Sequence, residues 1–229
     1  MKKILAFYIF SLPLINSNAQ NKYAPDTVMS RFFQLEQLTG LKYMDAGHLN
    51  EGMYFFEEWT PGNLVLGSGA KIDNLTFHYN GFQDQLVWLK EKTVQVILDK
   101  NNVSEFTLNN AGISYHFKKY KVPNGKDSIA TFCQELYNGK VKLLVIRKNK
   151  LDTEVVRYYK MYYIYVPRPV YCIFTDGKVH VLRNARLNAL YKAFPAKKDI
   201  LRQKVREQHL KVKNEMDMVK AINVLEDLL

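Results

Sequence analysis

The feature that most constrains this chain is a repeated grammar between Met53 and Leu182, where short runs alternating apolar with polar residues are each closed by turn-forming residues. Met53-Tyr54-Phe55-Phe56 leads through Thr60-Pro61-Gly62-Asn63, read as a turn, to Leu64-Val65-Leu66. Leu75–Tyr79 and Gln85–Leu89 flank Asn80-Gly81, a dipeptide whose ease at positive φ favours tight hairpins. Thr93–Leu98, Ser104–Leu108, Ser114–Tyr120, Ile129–Tyr137 and Lys140–Arg147 continue the series. Tyr158–Val166, Val170–Phe174 and Val179–Leu182 end it. No helix-length crossover separates consecutive runs, and a parallel sheet would require one. The expected fold is therefore α+β and mainly β: an antiparallel bent sheet, a sandwich or a partly closed barrel, followed by short helices.

The period changes near residue 184. Leu187, Leu190, Tyr191 and Phe194 share one helical face before Pro195 interrupts the chain. Ile200, Leu201 and Val205 mark a second helix. Asn214 is placed to cap a third, with Glu215 and Asp217 in its first turn and Met218, Ile222, Leu225 and Leu229 as its apolar stripe. Ahead of the strands, Val28, Phe32, Leu35 and Leu38 have the spacing of a short amphipathic helix. The organisation read from these changes is a leader over 1–19, an N-terminal segment with a short helix over 20–50, an antiparallel β body over 51–183 and a basic helical region over 184–229.

The leader has three recognisable parts. Lys2 and Lys3 are followed by an apolar run from Ile4 to Ile15, and then by Ser17-Asn18-Ala19 with small residues at the two positions a signal peptidase must accommodate. The run is too short to span a bilayer, and Asn16, Ser17, Asn18 and Gln20 end it. A cleavable signal peptide is expected, with the mature chain starting at Gln20. That places the protein in the periplasm, at the periphery of the outer membrane or outside the cell, with no transmembrane span after cleavage.

The remaining motifs argue mostly by exclusion. His48, His78, His116, His180 and His209 show no paired ligand spacing, so neither a metal nor another cofactor is expected. Gly67-Ser68-Gly69 lacks the third glycine and the helix of a dinucleotide loop. Gly125-Lys126-Asp127-Ser128 lacks the Ser or Thr directly after lysine that a phosphate-binding loop uses. Cys133 and Cys172, the only cysteines, fall in two strand-like runs. An oxidising compartment permits one disulfide between them if their strands are neighbours; two buried thiols are the other reading.

Two features point to binding. Of the 15 tyrosines, several crowd into Tyr158–Tyr165, where Tyr159, Tyr163 and Tyr165 share one face of a strand. With Trp59 and Trp88 they are the candidate ligand-binding residues, since a ring with a polar tip suits sugars and peptides; the alternative is a core face backed by a solvated one. The second feature is charge. The formal net charge is +11, and cleavage of the leader removes only Lys2 and Lys3 of the 33 basic residues. Export argues against nucleic acid as the partner, so Lys197, Lys198, Arg202, Lys204 and Arg206 are candidate contacts for an anionic glycan or a lipid head group. A solvated helical face explains the same residues.

Several stretches resemble a broad group of exported β-rich proteins of the Bacteroidota. They are Gly52-Met53-Tyr54 followed by Trp59-Thr60-Pro61-Gly62, then Leu75–Asn80 with Asp84-Gln85-Leu86, and Phe132–Leu136 with Gly139-Lys140-Val141. The resemblance implies a signal peptide, turn-separated strands and C-terminal helices, and conveys no biochemical role. It also implies O-glycosylation at Asp-Ser/Thr-apolar sites, which here are Thr27 in Asp26-Thr27-Val28 and Ser128 in Asp127-Ser128-Ile129. The functional reading is an exported, non-enzymatic envelope protein that binds a ligand or a protein partner. The alternative is a glycan- or peptidoglycan-directed hydrolase with carboxylates drawn from separate strands.

Overall fold

The structure, a computed structural model, describes residues 35–43, 49–157, 160–182 and 184–226. Its strands are β1 (Gly40–Lys42), β2 (Leu49–Glu51), β3 (Thr60–Leu66), β4 (Lys71–Asn80), β5 (Gln85–Lys90), β6 (Val94–Leu98) and β7 (Val103–Asn110). They continue as β8 (Ile113–Asn124), β9 (Asp127–Asn138), β10 (Lys142–Ile146), β11 (Asn149–Arg157), β12 (Lys160–Pro167), β13 (Val170–Thr175) and β14 (Lys178–Val181). The helices are α1 (Leu187–Ala193), α2 (Lys198–Glu207) and α3 (Glu215–Glu226), with a 3-10 turn at Pro195–Lys197 between the first two. No described helix is long and apolar enough to cross a membrane.

Eleven strands form one open antiparallel sheet in the order β1-β6-β5-β4-β3-β7-β8-β9-β10-β13-β14. The hairpin β11–β12 and the parallel strand β2 make a separate three-stranded sheet. The large sheet curls twice, in opposite senses. In its first half Leu64, Phe77, Tyr79, Leu86, Trp88, Phe106, Phe117 and Phe132 enclose one core. Phe106 and Phe117 stack there with centroids 4.6 Å apart. The curl is tight enough that the β4–β5 turn reaches β9, where Asp84 accepts hydrogen bonds from Thr131 Oγ1 at 2.9 Å and Tyr79 Oη at 2.7 Å and pairs with Lys100.

In the second half β14 comes to lie against β8. Tyr120, Val122, Cys133, Leu144, Cys172 and Val179 fill a core on the opposite face. Adjacent residues on a strand point to opposite faces, which is how Phe132 and Cys133 serve different cores. The other face of β10 and β13, carrying Leu143 and Ile173, is covered by α1, α2 and α3 through Leu190, Leu201, Met218, Ile222 and Leu225. Asn214 caps α3 as expected, its Oδ1 accepting from Asp217 N at 2.9 Å while Asp217 Oδ2 accepts from Lys213 N.

The mainly β architecture and its C-terminal helices match the sequence expectation; several local readings do not. Thr60-Pro61-Gly62-Asn63 is not a turn but the start of β3. Pro61 pairs with β4 alone, because the ladder to β7 begins only at Gly62, so its missing N–H is tolerated. Asn80-Gly81 is not a two-residue turn. Asn80 ends β4 and its side chain accepts from Phe82 N and Gln83 N, shaping a four-residue loop that Asp84 closes at φ 55°. Gly81 is needed for space: a Cβ there would lie 2.3 Å from Arg147 O. The 20–50 segment contributes β1 and β2 to the two sheets. Leu35 and Leu38 pack against the first core, and the rest of the helix expected there lies outside the described residues. Ile200 is exposed, and Leu229 lies outside the described residues.

Candidate ligand-binding site

His78 lies on β4 between Phe77 and Tyr79, and its imidazole points to the face of the sheet away from the first core. The indole of Trp59, the residue before β3, stacks on it with centroids 3.9 Å apart and planes 7° apart. The Tyr54 ring lies against it at 4.4 Å. His78 is 9% exposed and its Nε2 is buried without a hydrogen-bond partner. Burial pulls its pKa down to about 4 against the opposing pull of the Glu58 and Glu57 carbonyls, so the ring is neutral at pH 7.

From this stack a line of phenols leads onto the small sheet. Tyr54 Oη donates to Tyr43 Oη at 3.4 Å. Tyr43 neighbours Tyr165 of β12: burial raises the Tyr165 phenol pKa, and Tyr163, Tyr43 and Glu154 add to the rise. The Phe82 ring, on the β4–β5 loop, lies 4.9 Å from that of Tyr165. Trp59, Tyr54, Tyr43, Tyr163 and Tyr165 are all partly exposed, so they form a half-open aromatic strip across the junction of the two sheets.

The junction is rigidly specified. Asn149, 7% exposed, donates from Nδ2 to the carbonyls of Gly52 and Met53 at 2.8 and 3.1 Å, and its backbone N–H bonds to Gly81 O. Gly52 adopts φ 77°, and a Cβ there would lie 2.3 Å from Tyr165 O. A left-handed glycine and a close backbone approach together set the small sheet against the large one.

The structure thus brings Trp59, Tyr163 and Tyr165 onto one surface. Trp88 is excluded from it: paired with Phe77 on β5, it faces the first core at 5% exposure and is a packing residue. Tyr159 lies outside the described residues. Neither face of β12 is fully buried from Met161 to Val166, so the expected division into core face and solvated face does not occur there. Tyr43, Tyr54, His78 and Phe82 were not among the sequence candidates, and they lie on four different segments.

A second constellation lies on the face of β7, β8 and β9. His116 lies with Nδ1 3.0 Å from the Glu135 carboxylate and Nε2 3.2 Å from that of Glu105, each carboxylate accepting when the facing ring nitrogen carries a proton. Each carboxylate is further engaged, Glu105 by Lys118 and Glu135 by Tyr120, Lys142 and Asn138. Burial works to raise the Glu135 pKa, but His116, Tyr120 and Lys142 hold it down at about 2. Carboxylates from separate strands do meet here, as the hydrolase alternative requires. All four of their oxygens are occupied by partners within the cluster, an arrangement that holds three strands together.

The basic candidates divide. Lys198 and Arg202 line a cleft between α1 and α2, whereas Lys197 lines a different one beside Lys140 and Asp176. Lys204 pairs with Glu207 at 3.2 Å and Arg206 is exposed. Cys133 and Cys172 sit on β9 and β13, the strands that flank β10. Two strand spacings are about 9–10 Å, beyond disulfide reach along the sheet, and both cysteines are free, buried thiols. Ser128 is exposed beside the β8–β9 turn; Thr27 lies outside the described residues. No group of His, Cys, Asp and Glu suited to a metal ion occurs among the described residues. No family model matches the chain, and neither a curated protein nor a solved structure is significantly similar to it.

Proposed function

We propose that this is an exported, non-enzymatic envelope protein that binds an extended ligand along the aromatic strip from Trp59 to Tyr165, with a glycan chain as the ligand class. The observation that carries this reading is the strip itself: four partly exposed rings from three chain segments, Tyr43 after β1, Tyr54 and Trp59 between β2 and β3, and Tyr165 on β12, gathered over one junction. Flat ring faces suit the C–H faces of pyranose rings, and phenol hydroxyls at their edges suit sugar hydroxyls. The leader over 1–19 supports export.

The test has two parts. Material purified from its native envelope is sequenced from its N-terminus, with Gln20 expected first. The purified protein is then titrated with a panel of neutral oligosaccharides and with extended peptides while tryptophan fluorescence is followed, because Trp59 is partly exposed and Trp88 is buried. A saturable change with oligosaccharides supports the reading. A response to peptides alone redirects it to a protein partner, and an intact Met1 in cytosolic material removes the envelope from it.

A further inference from the structure

We infer that the cleft between α1 and α2 is a binding site for a phosphate-bearing ligand, separate from the aromatic strip. The cleft encloses about 410 Å³ and is lined by Asn188, Tyr191, Lys192, Pro195, Lys198 and Arg202. Three of these six side chains are cationic and none is acidic. The sequence brings them together through the break at Pro195: the 3-10 turn Pro195–Lys197 folds the first turns of α2 back toward the last turn of α1. Lys192 from one helix therefore faces Lys198 and Arg202 from the other.

The arginine is held in place. Its guanidinium carbon lies 5.2 Å from the centroid of the buried Tyr191 ring, a cation–π contact that restrains the side chain at the cleft. Arg206 also acts on the Tyr191 phenol: burial raises its pKa, and Arg202 and Arg206 oppose the rise. The nearest counter-charge to Arg202 is Asp199 at 4.0 Å, a side chain 94% exposed and weakly competitive in water. Two ammonium groups and a guanidinium fork around one concavity match a phosphomonoester dianion better than a single carboxylate, because phosphate offers both the second charge and the paired oxygens. Asn188 adds a neutral donor for the body of the ligand.

The experiment is isothermal titration of the full chain at physiological salt with glucose 6-phosphate, with glucose as the neutral control. Vesicles of phosphatidylcholine with and without phosphatidic acid form a parallel sedimentation arm. Binding of glucose 6-phosphate without binding of glucose is expected, weakened about tenfold or more by the double variant Lys198→Gln/Arg202→Gln and left unchanged by Lys71→Gln, at an exposed lysine of β4. Binding confined to phosphatidic acid vesicles, with the same response to the variants, identifies the phosphate as that of a lipid head group. The proposal is overturned if no phosphate-bearing probe binds, or if the double variant, confirmed folded by circular dichroism, binds as well as the parent. Neither result would bear on the aromatic strip, which none of these substitutions touches.

Discussion

Arg147 and Glu215 grip each other at two points, Nη1 to Oε1 at 2.6 Å and Nη2 to Oε2 at 2.8 Å, and so tie the end of β10 to the first turn of α3. The same guanidinium donates through Nε to Gln134 at 2.7 Å and lies 5.4 Å from the centroid of the Phe55 ring, while Tyr171 Oη donates to Glu215. One arginine therefore joins the helical layer to the edge of the first core. Both side chains are partly shielded from water, at 18% and 31% exposure, and a paired charge left alone there is costly. Arg147→Ala is expected to lower stability by about 2–4 kcal/mol, measured by urea denaturation. A loss below the error of that measurement would reduce the pair to a surface contact.

Asp84 holds the first curl of the sheet closed. It is shared by Tyr79, Lys100 and Thr131, groups from β4, the β6–β7 turn and β9. Asp84→Ala leaves the Tyr79 hydroxyl and the lysine without their acceptor and is expected to cost about 2–3 kcal/mol, whereas Thr131→Val, which removes one neutral donor, is expected to cost about 1 kcal/mol. Thermal unfolding of the two variants checks the order; equal midpoints would contradict it.

Two of the three strand histidines, His78 and His116, give opposite pH dependences. Burial depresses the pKa of His78 to about 4, below its unfolded value near 6.5. The unfolded chain binds the extra proton between those values, so the stability tied to neutral His78 is intact above pH 6.5 and declines as pH falls towards 4. For His116 the hydrogen bond its ring donates to Glu135 raises the pKa against burial, with Glu105 adding to the rise. Its contribution is complete below pH 6.5 and is lost as pH rises through the folded value. His78→Phe is expected to flatten the acid side of the stability profile between pH 6.5 and 4, and His116→Gln the side above 6.5. Equilibrium unfolding across pH 4–8 reads both, and identical profiles would refute the assignment.

Burial pushes the thiol of Cys172 up to about 12 and that of Cys133 higher still, with the neighbouring Cys172 adding to the second effect. Thiolates are the reactive form, so both cysteines should resist a disulfide-exchange reagent in the native protein and react together after denaturation without reductant. Absence of reaction in the denatured, unreduced chain would reveal a disulfide and contradict the strand order β9-β10-β13.

The strand grammar was legible where apolar runs lie between turn residues, as in β5, β10 and β13. It failed at the start of β3, whose burial alternates throughout but whose Pro61-Gly62-Asn63 carries turn chemistry, and again where a strand buries little. Asn149–Arg157 gave no strand signal because β11 is largely exposed on both faces, and its partner β12 is half-exposed from Met161 to Val166. Of the small sheet only β12 was legible, as the run Tyr158–Val166; β11, β2 and the junction that aligns the strip were not. The aromatic richness of Tyr158–Tyr165 was evident, but which tryptophan joins it depends on strand phase and on Trp59 lying just before β3. The helical region was the easiest to read, since Asn214 with Asp217 is a local capping pattern and Met218, Ile222 and Leu225 keep helical spacing. His78 gave only its place in a strand; its unpartnered nitrogen is a property of the packed face.

The most direct test of the account is oligosaccharide titration of the parent chain beside Tyr165→Ala, a substitution at a partly exposed ring on the small sheet that leaves the three cores intact. The account predicts saturable binding by the parent and a loss of about tenfold or more in the variant at unchanged thermal stability. Equal affinity of the two proteins for every oligosaccharide that binds would contradict it.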